Sequence, residues 1–284
     1  MAIKLVAILL VLLASHTLPD LARLRDFSWW RAWLRGLGGA SAGVALAAGI
    51  GLPVLVCALL QAGLRAPWFG LVEFLFALIV LYYCWGPRDL ERDVQAVDKA
   101  PDSAQRLAAA QALRRDGDAA EIAFTAENLV AATFEAALTR WFGVLFWFVL
   151  LGPTGALLYR LAQQLTAVPA SGDFALARTF AALLDWLPAH LMALALALAS
   201  NFDAVFTAWR DWHRAHPGGY ANLDLGFLEA IARASVAADV AADDGAADAH
   251  SPLVALDDAM VLVRRVLIVW LTLIALVVLG GWFA

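Results

Sequence analysis

Ionisable residues that interrupt long apolar stretches are the first candidates for chemistry in this sequence. Glu73 lies within the apolar stretch 66–86, and Asp185 and His190 lie within 179–202. A charge in hydrocarbon is costly, so such a residue usually faces a partner, a cavity or a substrate path. Carboxylates shielded from water can also exchange protons near neutral pH. These residues therefore predict proton transfer or cation binding within a membrane.

Asp185 and His190 do not form a catalytic pair on a regular helix. They are five positions apart, which places them about 140° from each other at 100° per residue. Only a kink at Pro188 would bring them together. Asp185 has a structural alternative, as an N-cap or an interhelical hydrogen-bonding group near the membrane surface. The sequence leaves both interpretations open for Asp185, whereas it favours a functional role for Glu73.

A second polar group lies on a predicted helix in the long segment 86–140. Its apolar positions share one helical face, formed by Ile122, Ala126, Leu129, Val130, Thr133, Phe134 and Ala137. Glu127, Asn128 and Glu135 lie on the opposite face. This pattern fits a helix lying against the membrane with a solvated face. It also fits one wall of a binding site, and the sequence does not separate the two.

The sequence contains none of the common nucleotide, zinc or hydrolase motifs. There is no G-x-x-x-x-G-K-[ST], H-E-x-x-H or G-x-S-x-G segment. The five histidines are scattered along the chain, and the pair His213 and His216 is too weak a signal to predict a metal site. We predict no cofactor, and the net charge of −5 argues against a nucleic-acid partner. Cys57 and Cys84 lie within apolar stretches and are interpreted as packing residues.

The elements that position these groups are membrane-spanning helices. Hydrophobic residues make up 63% of the chain, whereas a soluble domain has roughly 45–50%. Each apolar stretch is long enough to cross about 30 Å of hydrocarbon as a helix, except the first, which is interpreted as a retained short or tilted helix. The fold class is therefore an all-α, polytopic membrane bundle in contact with the lipid bilayer. The predicted spans are 3–18, 43–64, 66–86, 141–159, 179–202 and 266–284.

Basic residues predict the orientation of these spans. Sixteen of the twenty Lys and Arg residues fall in 15–42, 86–140 and 201–265. Because cytoplasmic loops retain basic residues, these three segments are predicted to be cytoplasmic in a multi-pass protein of the bacterial inner membrane. Amphipathic cytoplasmic helices are expected in 87–140 and 203–236.

Three further segments carry structural expectations. The charged run from Arg88 to Asp93 is interpreted as a solvated surface with i, i+4 ion pairs. The Ala- and Asp-rich segment 237–258 is predicted to be a flexible linker. Small residues recur at Gly39, Gly43, Ala47 and Gly51, a spacing that lets membrane helices approach closely. That packing could serve the monomer or a homodimer, and both remain open.

Two blocks of sequence resemble a known family. The blocks are RWFGVLFWFVLLGPTGALLYRL at 140–161 and LLDWLPAHLMALALAL at 183–198. They are similar to AmpE, an inner-membrane modulator of β-lactamase signalling. The resemblance implies a sensory or regulatory protein, with the AmpD amidase or another component of peptidoglycan recycling as a partner.

The same blocks are more distantly similar to adenosylcobinamide-phosphate synthase of the CobD/CbiB family. This membrane enzyme joins an aminopropanol unit to a corrinoid carboxylate through an amide. Its Glu-Asn pair falls on Glu135 and Ala136, and its later Asn and Asp fall on Gln163 and Thr166. Its Asn-Trp-x-Pro-Ala-Arg segment falls on 185–190, which reads Asp-Trp-Leu-Pro-Ala-His. Trp and Pro are kept while most of the polar residues are replaced.

Two functions of different classes follow from these observations. The favoured hypothesis is a regulatory membrane protein without catalysis, because the resemblance shows replaced polar residues. The alternative is an enzyme or transporter that acts on an amphipathic metabolite in a cavity where Glu73, Glu135, Arg160 and Asp185 converge. A Glu-Asn pair does occur at 127–128, eight residues before the family position. The candidate ligand-binding residues are Glu73, Glu127, Asn128, Glu135, Arg160, Asp185 and His190.

Overall fold

The fold is built from helices in every part of the chain that can be described. The computed structural model describes residues 2–17, 25–36, 41–65, 70–86, 89–114, 121–166, 175–242 and 251–280. All regular elements in these ranges are helical, which confirms the predicted all-α membrane bundle. The chain forms two compact units. The first comprises Met1–Pro87, Gly143–Leu184 and Ile274–Ala284, and the second comprises Arg88–Phe142 and Asp185–Leu273.

The first unit contains most of the strongly apolar helices. In chain order these are α1 (Ala2–Thr17), α2 (Ser28–Gly36), α3 (Ala42–Leu46), α4 (Leu52–Leu64), α5 (Gly70–Cys84), α9 (Gly143–Leu151) and α10 (Pro153–Thr166). A π-helical turn, Ala47–Gly51, joins α3 to α4 without a break. The helix α2 is the exception in composition, because Trp and Arg alternate along it and give it one apolar and one charged face.

The second unit contains shorter, more polar helices together with parts of two long ones. Its complete helices are α6 (Leu90–Lys99), α7 (Ser103–Gln111), α8 (Ala126–Ala137), α12 (Phe202–Ala215) and α13 (Gly226–Ala242). Side chains at the N-caps of α6, α7, α8 and α12 accept backbone N–H groups of the first turn. The long helices α11 (Ala175–Ala199) and α14 (Pro252–Leu279) continue across the boundary between the units.

Within the described ranges, four helical stretches have the length and apolar character needed to cross a membrane. They are Ala47–Leu64, Ala126–Leu151, Leu176–Ala199 and Pro252–Leu279. The remaining two apolar helices, Ile3–Thr17 and Gly70–Cys84, are shorter. At 1.5 Å per residue, the 15 residues of α5 extend about 22 Å, less than the hydrocarbon thickness. The chain is therefore a membrane protein in which α1 and α5 are shorter than full-length spans.

The predicted span 141–159 is wrong as a single helix, because the chain turns at Gly152. Gly152 has φ +76°, a conformation that favours glycine, and Pro153 then opens a new helix. The Gln61 amide donates to the carbonyl of Leu151 and accepts the backbone N–H of Thr154. It thereby satisfies backbone groups that the turn would leave unpaired in an apolar region. The spanning helix runs instead from Ala126 to Leu151.

The predicted linker 237–258 is also largely helical. The helix α13 continues to Ala242, and α14 already begins at Pro252. Alanine is the strongest helix former, and proline is well tolerated at the first helical position. The alanines at 237, 238, 241 and 242 therefore extend α13. Residues 243–250 lie outside the described residues.

In the glycine-rich region, the close approach occurs at Gly49, which is not one of the predicted small residues. A Cβ at Gly43 or Gly51 would meet nothing within 4 Å, whereas at Gly49 it would lie 2.5 Å from the Leu34 side chain. The Trp30 indole also donates to the Gly49 carbonyl at 2.7 Å. Gly49 thus lets α2 approach the π-helical turn. Gly39 lies outside the described residues, and the homodimer remains a prediction.

Candidate functional site

Glu135 is a half-buried carboxylate on a helix that is otherwise almost completely enclosed. The predicted apolar face of α8 is buried at Leu129, Val130, Thr133, Phe134 and Ala137, and Ala131, Ala132 and Ala136 on its other sides are buried as well. A helix lying on the surface would expose those alanines. The helix instead continues into the spanning stretch 126–151. Glu135 therefore remains accessible within a packed layer.

Glu127 and Asn128 serve the start of the same helix. The Asn128 side chain donates to the Ala123 carbonyl, and its backbone N–H donates to the Thr125 hydroxyl that caps α8. Glu127 is exposed in the first turn, where a negative charge stabilises the helix dipole. Asn128 and Glu135 are seven residues apart, about 10 Å along the axis. The structure thus separates this pair from Glu135.

A π-helical segment, Leu138–Phe142, follows Glu135 and contains Arg140, whose side chain contacts other residues of the second unit. Wider π turns of this kind often occur at functional sites. The Arg140 guanidinium binds the Asp93 carboxylate at 2.7 Å and the Ala112 carbonyl at 2.6 Å. The side chains of Arg140 and Asp93 are only 7% and 16% exposed. The interpretation of Asp93 as part of a solvated surface is therefore wrong.

Asp185 lies in the interior of α11 and is fully buried. Its interpretation as an N-cap is wrong, because the helix begins ten residues earlier, at Ala175. Pro188 does not interrupt the helix. His190 Nδ1 donates to the Trp186 carbonyl, within the same helix, at 2.7 Å. Asp185 is thus a buried carboxylate that solvent does not reach.

His190 belongs to a cluster of aromatic rings from α11, α12, α13 and the short 3-10 turn Gly219–Ala221. Its ring is stacked with that of His213 at a centroid distance of 5.7 Å and an angle of 10°. Phe227 lies 4.6 Å from His190 and 5.1 Å from His213. Tyr220 lies 4.2 Å from His213. Two imidazoles are thus enclosed by apolar rings.

Hydrogen bonds define the neutral tautomers of both histidines. The Trp209 indole N–H donates to His213 Nε2 at 2.9 Å, so the ring proton of neutral His213 is on Nδ1. The bond from His190 Nδ1 leaves His190 Nε2 unprotonated. Within the described part of the chain, His190 Nε2 has no hydrogen-bond partner, whereas the Gly219 backbone interacts with the His213 ring. Burial lowers the pKa of His213 most, and the neighbouring His190 lowers it further.

In the first unit, two buried arginines bind the carboxyl-terminal end of α5. Arg160, which is 3% exposed, donates from Nε to the Cys84 carbonyl at 2.8 Å. Arg25 donates to the Gly86 carbonyl at 3.1 Å and to the Ser15 hydroxyl at 2.9 Å. Cationic groups complement the negative end of a helix dipole. These contacts give Arg160 a clear structural role.

Glu73 lies near the opposite end of the same helix. Lys4 interacts electrostatically with both Arg65 and Glu73, and its ammonium group donates to the Val149 carbonyl. Glu73 and Cys84 are 11 residues apart, about 16 Å along the axis. The structure therefore separates Glu73 from the end of α5 that Arg160 contacts, and a cavity shared by Glu73, Glu135, Arg160 and Asp185 stays a prediction.

Comparisons with known proteins identify the family. The sequence profile of the CobD/CbiB protein family matches residues 20–232. The chain belongs to the CobD/CbiB family. The cobalamin biosynthesis protein CobD of Chromobacterium violaceum is 30% identical over 162 residues, which is 53% of this chain. The chain spans about half (51%) of the length of that relative. No solved structure matches the chain.

The CobD/CbiB match includes all seven predicted candidate residues, from Glu73 to His190. It supports the more distant of the two resemblances and gives no support to AmpE. Sequence reasoning missed the Arg140–Asp93 ion pair, since 47 positions separate its partners. It also missed Gln61 and Arg25. Their polarity next to long apolar stretches was the available signal.

Proposed function

We propose that this CobD/CbiB-family chain is an inner-membrane enzyme of cobalamin biosynthesis that joins an amine to a corrinoid carboxylate through an amide. The observation that carries the proposal is the family match over residues 20–232, which includes the core of both units. The relative from Chromobacterium violaceum, a cobalamin biosynthesis protein, supports the same pathway.

Glu135 is the carboxylate to which we assign proton transfer. Its position matches the family Glu, and it stays accessible while most of α8 around it is buried. As the amide forms, one C–O bond of the corrinoid carboxyl group breaks and its oxygen leaves, with a net loss of water. The amine loses a proton in the same reaction, and a positioned carboxylate can accept that proton.

Asp185 fits a positioning role better than direct contact with substrate. Its side chain is fully buried, so a substrate cannot reach it without movement of α11. It lies one residue before Trp186, whose carbonyl accepts the His190 ring N–H. Replacing Asp185 is therefore expected to disturb the helix that carries the family segment 185–190, and not to remove a reacting group.

The deciding experiment is complementation of a bacterial strain that lacks its own adenosylcobinamide-phosphate synthase. We expect the wild-type chain to restore growth that depends on cobalamin synthesis, and Glu135→Gln to fail at an equal membrane level. Glu127→Gln is the matched control, because Glu127 is an exposed residue of the same helix. Failure of the wild-type chain, with corrinoid precursors accumulating, would reject the enzyme proposal.

A regulatory role is the second candidate, and a specific observation favours it. The family Arg of segment 185–190 is His190 here, and that ring bonds to its own helix and packs among aromatic rings. A family segment whose polar residue now serves side-chain packing fits a protein without catalysis. Deletion of the gene would then change β-lactamase activity, with or without an inducing β-lactam. If β-lactamase activity is the same as in the wild type with and without the inducing β-lactam, while growth is normal, the regulatory role is rejected. The AmpD amidase is then rejected as a partner as well.

A further inference from the structure

The first unit contains an apolar groove that the proposed reaction does not use. The groove has a volume of about 490 Å³ and runs between α4 and α5, with α2 at one end. Leu52, Val56 and Leu60 line one side, and Phe76 and Ile79 line the other. Nearly all of its surface is carbon. It therefore cannot hold a polar substrate.

The groove is long and narrow, and it opens to the surroundings of the unit. Leu52 and Leu60 are eight residues apart, so this side extends about 12 Å along α4. Val56 is 49% exposed, Leu60 is 51% exposed and Ile79 is 65% exposed. In a membrane protein such side chains face hydrocarbon. A flexible chain from the bilayer can enter this groove from the side.

Polar groups cluster at the end of the groove where α2 lies. The Trp29 indole donates to the Tyr83 hydroxyl at 2.7 Å, and that hydroxyl donates to the Asp26 carbonyl. Tryptophan and tyrosine prefer the level of the lipid headgroups. Arg31 and Arg35 are exposed on the charged face of α2. The groove thus has an apolar interior and a cationic, interfacial end.

We infer that this groove binds one acyl chain of an anionic phospholipid, with the phosphate near Arg31 and Arg35. Charge decides the class of lipid. Asp26, whose carbonyl accepts from the groove-lining Tyr83, pairs with Arg31 and so holds this guanidinium near the end of the groove. Among the described residues, the ion pairs of Arg31 and Arg35 include one carboxylate, that of Asp26, which favours an anionic headgroup.

Native mass spectrometry of the full-length, delipidated protein tests the inference. We expect one phosphatidylglycerol per protein to be retained, at least 10-fold more tightly than phosphatidylcholine with the same acyl chains. Val56→Trp fills the groove and should weaken phosphatidylglycerol binding at least 10-fold. Leu55→Trp is the matched control, because Leu55 is 55% exposed on the same helix but does not line the groove. Its binding should stay within twofold of wild type.

Further variants separate the two parts of the site. Arg31→Gln with Arg35→Gln should abolish the preference for phosphatidylglycerol while leaving phosphatidylcholine binding unchanged. If Val56→Trp does not fold, Leu60→Trp with Leu59→Trp as its control gives the same comparison. Equal binding of the two lipids to the wild type, equal loss in groove and control variants, or dimers in place of lipid-bound monomers would overturn the inference. The inference is independent of the amide-forming function, since no residue assigned to that reaction lines the groove.

Discussion

Buried arginines contact backbone carbonyls in both units, and in the second unit one of them also pairs with a carboxylate. In the first unit, Arg25, Arg160 and Gln61 all donate to backbone carbonyls at helix ends. In the second unit, Arg140 binds the carboxylate of Asp93. Other buried polar contacts there also join two side chains, including Trp209 with His213 and Ser235 with Ser200.

This difference separates structural groups from candidates for chemistry. A backbone carbonyl cannot change its charge, so an arginine bound to it fixes the end of a helix and does little else. A partner side chain can gain or lose a proton, and its state then depends on its neighbours. The ionisable groups of the second unit, Glu135, Asp185 and His213 among them, are therefore better placed for proton transfer than those of the first.

Breaking the Arg140–Asp93 ion pair should have the largest effect on stability. We expect Arg140→Ala to lower the free energy of unfolding by about 3–5 kcal/mol, because it leaves the largely buried Asp93 carboxylate without its cation. Thermal unfolding in detergent measures the change. Arg264→Ala is the control, because the Arg264–Glu91 pair is more exposed and contributes about 0–1 kcal/mol. Equal effects would contradict the distinction between the buried and the exposed ion pair of the second unit.

Glu135→Gln should reduce amide formation at least 100-fold, about 3 kcal/mol in the activation free energy, without a comparable loss of stability. The amide oxygen and nitrogen of glutamine occupy the space of the carboxylate but cannot accept the amine proton. Corrinoid product formed by purified protein measures the rate. A rate within threefold of wild type would show that Glu135 only packs, as the arginines of the first unit do.

The sequence predicted the helical class and most helix positions, because apolar length and charge spacing determine them directly. It did not predict the break at Gly152, since the run 141–159 carries no charge and only backbone conformation marks the turn. The sequence analysis grouped Glu127 and Asn128 with Glu135. Helical periodicity shows which face of a helix a residue occupies, but it does not show how deeply the residue is buried. Partners such as Asp93 and Arg140 depend on tertiary packing, which periodicity does not contain.

Gly152→Ala tests how the first unit accommodates a helix break. We expect a loss of about 1–2 kcal/mol in the free energy of unfolding, because alanine is strained at φ +76°. The added Cβ would also lie 2.9 Å from the Gln61 amide nitrogen. Gly63→Ala, where a Cβ meets nothing within 4 Å, should leave stability unchanged or raise it. If neither Gly152→Ala nor Gly63→Ala lowers the free energy of unfolding, the Gln61 contacts do not depend on the conformation of this turn.

The smallest expected effect is a pH dependence of stability that originates in the second unit. Because burial lowers the pKa of His213, the unfolded chain binds a proton at this site more readily than the folded chain does. The contribution of His213 to the free energy of unfolding is therefore fully present above its unfolded pKa, about 6.5. This contribution declines as the pH falls below that value. Protonation would also place an N–H on Nε2 opposite the Trp209 indole N–H, which needs an acceptor there. Unfolding midpoints of wild type and His213→Phe between pH 7.5 and 5 measure the effect. The variant should show a smaller decline, whereas parallel curves would place the pH sensitivity at other groups.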